Sequence, residues 1–214
     1  MTTDSHLKPL ELIDTVLSGN GWKVRLLAGH LGIPLIRKSL SIVEGNLEEE
    51  SFGEISPLRQ VPVLKTRDGH WLSESSAILW YLGEGTKFVP SAPTERAQVI
   101  QWLMFEQTKL MWNLAQPRLW IALRKSMNVN DPRAIRWRQR GTKQLDILEQ
   151  HLKGRNYVVG SSPTIADLAL YPYIRMSTLG GYDLAPYPRL NDWLQRIRAL
   201  PGHVPLIEGD NETA

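Results

Sequence analysis

The chain has 214 residues, 42% of them apolar and 22% charged, and its 25 Lys and Arg are set against 22 Asp and Glu for a net charge of +3. That balance describes a globular protein of one large domain or two small ones, and the scattered basic residues, including the helix-spaced block at 133–140, lack the clustered stripe of a nucleic-acid surface. The absence of cysteine excludes disulfides, thiolate metal sites and every mechanism with a protein thiol as nucleophile.

In chain order, residues 10–17 read as a strand and 21–32 as a helix that stops at Gly32, with Pro34 just beyond it. A second strand over 35–40 follows, then an acidic loop with one helical turn over 41–54. The stretch QVPVLKT at 60–66, the turn at Asp68-Gly69 and residues 70–72 make a hairpin, and a helix covers about 74–82. Residues 85–93, GTKFVPSAP, carry the glycine and prolines of a linker. Beyond them the pattern is helical at about 94–125, 132–153, 164–178 and 188–199. The expected fold class is therefore α/β plus all-α, with one domain over 1–85 and an all-helical one over 93–214. No apolar run approaches the ~18 residues of a membrane span, and the polar start MTTDSHLKP lacks a signal-peptide core. A cytoplasmic location is expected, with no membrane or nucleic-acid partner. His6, His30, His70, His151 and His203 lie far apart with no metal-binding spacing, so no metal is expected.

Three stretches carry chemistry. In SGNG at 18–21, a dinucleotide fingerprint starting at Gly19 would need glycine where Val24 stands, and a nucleophile elbow would need glycines at Val16 and Asn20. What remains is a hydroxyl, an amide and the free N–H groups of a helix start, which suit an anion and equally suit a simple helix cap. In SPLRQVPVL at 56–64, Pro62 cannot donate to a ladder and so belongs at an edge or a bend. If the Val61-Pro62 bond is cis, the main chain of Val61 can face a cleft; a trans edge proline is the plainer alternative. In LSESSAILWYL at 72–82, Ser73, Glu74, Ser75 and Ser76 crowd a helix start, where they either cap the helix or meet the carboxylate and ammonium of a ligand.

Taken in this order, SGNGWKVRLL, QVPVL and ESSAILWYL resemble the thioredoxin-like N-terminal domain of cytosolic glutathione transferases. SSPTIADLALYPY at 161–173 resembles the capping motif of their helical domain, and 180–202 resembles the closing region of many bacterial members. The resemblance covers about 10–205. It implies that Ser18 takes the place of the catalytic serine or threonine, five residues before Lys23. Asn20 matches the asparagine that bacterial classes similar to the nu class use beside that hydroxyl. Val61 would pair its backbone with the cysteinyl part of glutathione, Glu74 and Ser75 would hold the γ-glutamyl group, and Arg59 or Gln60 lies where the glycyl carboxylate binds. In the helical domain, Met104, Met111, Trp112 and Trp120 are candidates for an apolar second-substrate pocket facing Ser18, with plain core as the alternative for each. Thr164 and Asp167 read as a structural capping box, and Pro172 should kink the helix they begin.

The implied protein is a homodimeric glutathione transferase with glutathione as substrate, directing its thiolate at an electrophile, disulfide or peroxide. Chemistry of the omega or beta kind, through a protein cysteine, is excluded. The alternatives are a non-catalytic binding or regulatory protein on the same scaffold, and a dehalogenase or isomerase specialisation.

Overall fold

The computed structural model describes residues 8–41 and 46–207, which form two compact units, one from 8–84 together with 200–207 and one from 85–199. In the first unit, β1 (Leu10–Asp14), α1 (Gly19–Leu31) and β2 (Leu35–Ser39) form a parallel strand-helix-strand unit. Then come a short 3-10 turn at Asn46–Glu48, α2 (Glu50–Ile55), the hairpin β3 (Val63–Lys65) and β4 (Trp71–Ser73), and α3 (Ser75–Gly83). The sheet order is β2-β1-β3-β4, with β3 antiparallel to both of its neighbours. Part of the acidic loop expected over 41–54, residues 42–45, lies outside the described residues.

The central strand β1 is buried except at Glu11, and α1 packs against α3 with nine of its thirteen residues buried. Gly32 ends α1 at φ 65°, where its N–H reaches back to the Ala28 and Gly29 carbonyls, the left-handed stop that glycine makes at least cost. Below the start of α1 sits Asp14, fully buried, with Arg37 Nε at 2.6 Å and Arg25 Nε at 3.2 Å. Burial nevertheless pushes its carboxyl above the usual carboxylate range, the two arginines offsetting part of that shift. A side chain at Gly21 would stand 2.7 Å from Asp14 Oδ2. The second glycine of SGNG is thus required by a buried carboxylate, not by a ligand.

The sequence division carries the helical domain on to 214, but residues 200–207 pack with the α/β unit. The indole of Trp22 donates to the Val204 carbonyl at 2.8 Å, Arg25 Nη1 donates to the Leu206 carbonyl at 2.9 Å, and His30 Nδ1 lies 2.7 Å from the Pro201 carbonyl. Gly29 and Gly202 meet back to back, each without room for a Cβ. The reason is local: α8 ends at Arg198 and the turn at Pro201-Gly202, with Gly202 at φ 81°, redirects the chain along α1.

The second unit contains α4 (Pro93–Phe105), α5 (Met111–Pro117), α6 (Pro132–His151), α7 (Ile165–Arg175) and α8 (Pro188–Arg198). The single helix expected over 94–125 is instead α4 and α5 joined and followed by π-helical turns at Glu106–Leu110 and Arg118–Leu123. Thr164 and Asp167 form the expected capping box. Asp167 does more than cap, because it also accepts from the Val158 N–H at 3.0 Å and the Trp193 indole at 2.9 Å, knitting α7 to α8. The helix runs on through Pro172 to Arg175. Glu149 of α6 meets the start of α8, accepting from the Leu190 N–H at 2.9 Å and Arg189 Nη1 at 3.0 Å, where a carboxylate is favoured by the helix dipole.

Candidate functional site

The sheet register brings the three sequence stretches together. Ile13 of β1 pairs with Val63 of β3, and Val63 pairs with Ser73 of β4. The exit of β1 toward Ser18, the entry to β3 through Val61-Pro62 and the exit of β4 toward Glu74-Ser75 therefore lie at one end of the sheet. Strands leaving a sheet side by side leave loops free to bind there, because none of those main-chain groups is consumed by the ladder.

Ser18 is the N-cap of α1, and its Oγ accepts from the Gly21 N–H at 3.4 Å. Its hydroxyl hydrogen can still point outward as a donor. Asn20 Oδ1 accepts from Lys23 Nζ at 2.8 Å and from Ser75 Oγ at 3.4 Å, and Lys23 Nζ also lies 3.4 Å from Ser75 Oγ. The start of α1 is thereby tied to the start of α3. The Val61-Pro62 peptide bond is cis, and β3 begins only at Val63, so the main chain of Val61 stands outside the ladder.

Glu74 is exposed and sits at φ 69°, a region rarely used by residues other than glycine and one that costs about 1–3 kcal/mol. As N-cap of α3 it makes no side-chain capping bond. The capping-cluster reading of 73–76 does not hold: Ser75 turns to Asn20, and Glu74 is left facing solvent.

Of the two residues considered for a glycyl carboxylate, Arg59 has its guanidinium on the Leu47 and Glu49 carbonyls, at 3.1 and 3.0 Å, and packed over Gly53. Gln60 is exposed, and its main chain is held at both its N–H and its carbonyl by the Ser56 hydroxyl. In the helical unit the plain-core alternative fails for Met104 and Trp112, which stand in solvent. Met104 is 51% and Trp112 56% exposed, while Met111 and Trp120 are half-buried, Trp120 with Arg124 stacked 4.7 Å over its ring.

Among the described residues three cations are buried, Lys23, Arg25 and Arg118, and residue type alone marked none of them as structural. Lys23 is completely buried and Arg25 is 7% exposed; their sign in sequence is a pair of charged residues inside the otherwise inward-facing WKVRLL. Arg118, at the second π-helical turn, is 5% exposed, and its Nε has no hydrogen-bond partner among the described residues; burial pulls its pKa below the usual value. Among the described residues no three His, Asp or Glu side chains gather as a metal site, and no helix is long and apolar enough to cross a membrane.

Residues 17–84 match the family model of the glutathione S-transferase N-terminal domain, and residues 117–196 match that of the C-terminal domain. The chain belongs to the glutathione S-transferase family. Its α/β unit is the thioredoxin-like domain of that family and its helices are the C-terminal domain. A glutathione S-transferase structure from Pseudomonas fluorescens superimposes with a TM-score of 0.91 at 35% identity, covering 94% of this chain and 100% of that one. Another, of a glutathione transferase from Burkholderia graminis with two glutathione molecules bound per subunit, gives 0.78 at 25% identity over 93% and 87% of the two chains. Among curated relatives, the disulfide-bond oxidoreductase YfcG of Escherichia coli is 30% identical over 85% of this chain and 87% of its own length. Elongation factor 1-gamma of Artemia salina is 32% identical over 70% of this chain, which spans only 34% of that protein.

Proposed function

We propose that the thioredoxin-like domain binds glutathione, stabilises its thiolate with Ser18 and Asn20, and directs the sulfur at an electrophilic carbon, a disulfide or a peroxide. The observation that carries this reading is the convergence, at one end of the sheet, of the Ser18 and Asn20 side chains, the free main chain of Val61 and the Glu74-Ser75 pair. Glutathione offers complementary groups. Its γ-glutamyl ammonium meets Glu74, the matching carboxylate meets Ser75 and the first N–H groups of α3, and its cysteinyl amide pairs with Val61. Gln60, whose side chain is exposed, is the better placed of the two candidates for the glycyl carboxylate, Arg59 being engaged elsewhere.

A free thiol titrates near pH 8.5, and lowering that by about two units requires about 2.7 kcal/mol of thiolate stabilisation. Hydrogen bonds to a charged group supply about 1.5–3 kcal/mol each, so one hydroxyl and one amide suffice. Ser18 is then a donor and not a nucleophile, and the reacting sulfur is the ligand's, consistent with a chain that holds no cysteine. In the helical domain, Met104, Met111, Trp112 and Trp120 contribute an apolar second-substrate site. We further propose that the protein acts as a homodimer in the cytoplasm and that its site is of the nu-like Ser/Asn kind.

Titrating the protein with glutathione while reading thiolate absorbance tests this. The wild type is expected to lower the thiol pKa, and Ser18→Ala and Asn20→Ala each to raise it by roughly one to two units. Absence of binding at millimolar glutathione overturns the enzyme reading and leaves the non-catalytic alternative, which the match to part of an elongation factor favours. Binding with full thiolate formation in both variants overturns the assignment of Ser18 and Asn20.

A further inference from the structure

We infer that Lys23 is a positioning residue, whose buried ammonium holds the Asn20 side-chain oxygen so that the Asn20 amide N–H groups face the thiol of bound glutathione. This rests on the glutathione reading above and deepens it. An asparagine amide can sit either way round, and only its hydrogen-bond network decides which end is presented. Here the network is one-sided. An ammonium has donors and no acceptor, so the atom 2.8 Å from Lys23 Nζ has to be the oxygen, and Ser75 Oγ, 3.4 Å away, is a second donor to it. The opposite orientation would turn an N–H pair onto an ammonium and present an oxygen lone pair to a thiolate, unfavourable at both ends.

Lys23 has no surface exposure, and it reaches Asn20 from one turn further along the same helix, so its reach is set by helix geometry and not by a mobile side chain. It also donates toward Ser75 Oγ at 3.4 Å. The proposed thiolate donor and the proposed γ-glutamyl contact are thus held by one cation, and the donor's direction is set before the ligand arrives, as preorganised stabilisation of a developing charge requires.

The test is a double-mutant cycle on the thiol pKa of bound glutathione, measured by thiolate absorbance in wild type, Asn20→Ala, Lys23→Met and the double variant. Lys23→Met is expected to raise the pKa about as much as Asn20→Ala, with little further change in the double variant; Lys23→Arg, which keeps a buried donor, is expected to restore most of the shift. Additive effects would overturn the inference, since Lys23 would then act through its own charge, as would an unchanged pKa in Lys23→Met. If Lys23→Met does not fold, side-chain amide NMR of the wild type decides: glutathione is expected to shift the Asn20 N–H pair and slow its exchange, and an unperturbed pair overturns the proposal. A wild type that binds no glutathione, or leaves its thiol near pH 8.5, fails the parent reading, so the two failures are distinguished before any variant is made.

Discussion

A methyl group at position 21 would have nowhere to go. Replacing a helical glycine by alanine ordinarily stabilises by up to about 1 kcal/mol, but at Gly21 the added Cβ would stand 2.7 to 3.1 Å from three Asp14 side-chain atoms. Asp14 cannot yield, because Arg25 and Arg37 grip it. Gly21→Ala is therefore expected to destabilise the protein by about 1–3 kcal/mol, as overpacking does, seen as a lower thermal midpoint with glutathione absent. The sequence left two explanations open for SGNG as a whole, an anion site or a helix cap. It could not show the third, a buried carboxylate, because Asp14 lies on a different element and its approach is a fact of packing. For Ser18 and Asn20 the case is reversed. Their residue types and spacing were legible, while the direction in which Asn20 presents its amide depends on Lys23 and Ser75, and Ser75 is 55 residues away.

At the scale of elements, buried polar groups join the helices. The Tyr182 hydroxyl lies within donating distance of the Asn113 carbonyl at 2.9 Å and the Trp137 carbonyl at 3.0 Å, linking α5 to α6, and Gly141 leaves the room it needs. Burial raises its pKa above the ordinary 10.0. Between that value and the higher folded one, the unfolded chain gives up the proton and the folded chain keeps it, so stability falls as pH rises through that window. Tyr182→Phe is expected to cost about 1 kcal/mol near neutral pH by losing the hydrogen bond, and to lose less stability than wild type when denaturant midpoints are followed from pH 10 upward. A loss as steep as the wild type's would assign the alkaline transition to another group. Helical periodicity located α6, α7 and α8 within a few residues. It missed the π-helical turns around α5, because a departure confined to five or six residues is too short to show as a change of period.

At the scale of the molecule, the segment at 200–207 returns to α1, where backbone meets backbone at Gly29 and Gly202. Gly29→Val is expected to drive it off, since the new side chain would displace the Gly202 carbonyl and with it the Trp22–Val204 hydrogen bond. The measurement is amide exchange across 200–207 together with the thermal midpoint; unchanged protection there would show that the packing can adjust. The two-part division was readable from the linker at 85–93 and from the change of pattern beyond it. The return of the tail was not, because residues after Arg198 carry no periodicity that names a partner.

By itself the sequence determined the elements, their order, the thioredoxin-like and helical halves and the three stretches offered for glutathione, since these depend on local pattern, caps and residue type. Tertiary structure alone decided that strand register gathers those stretches at one end of the sheet, that Gly21 serves Asp14, that Arg59 is engaged away from the proposed ligand, and that a buried lysine orients Asn20. Each of those outcomes rests on packing between elements, including that of Lys23, which stands one turn from Asn20 and is buried by its surroundings. No single stretch of sequence encodes such packing.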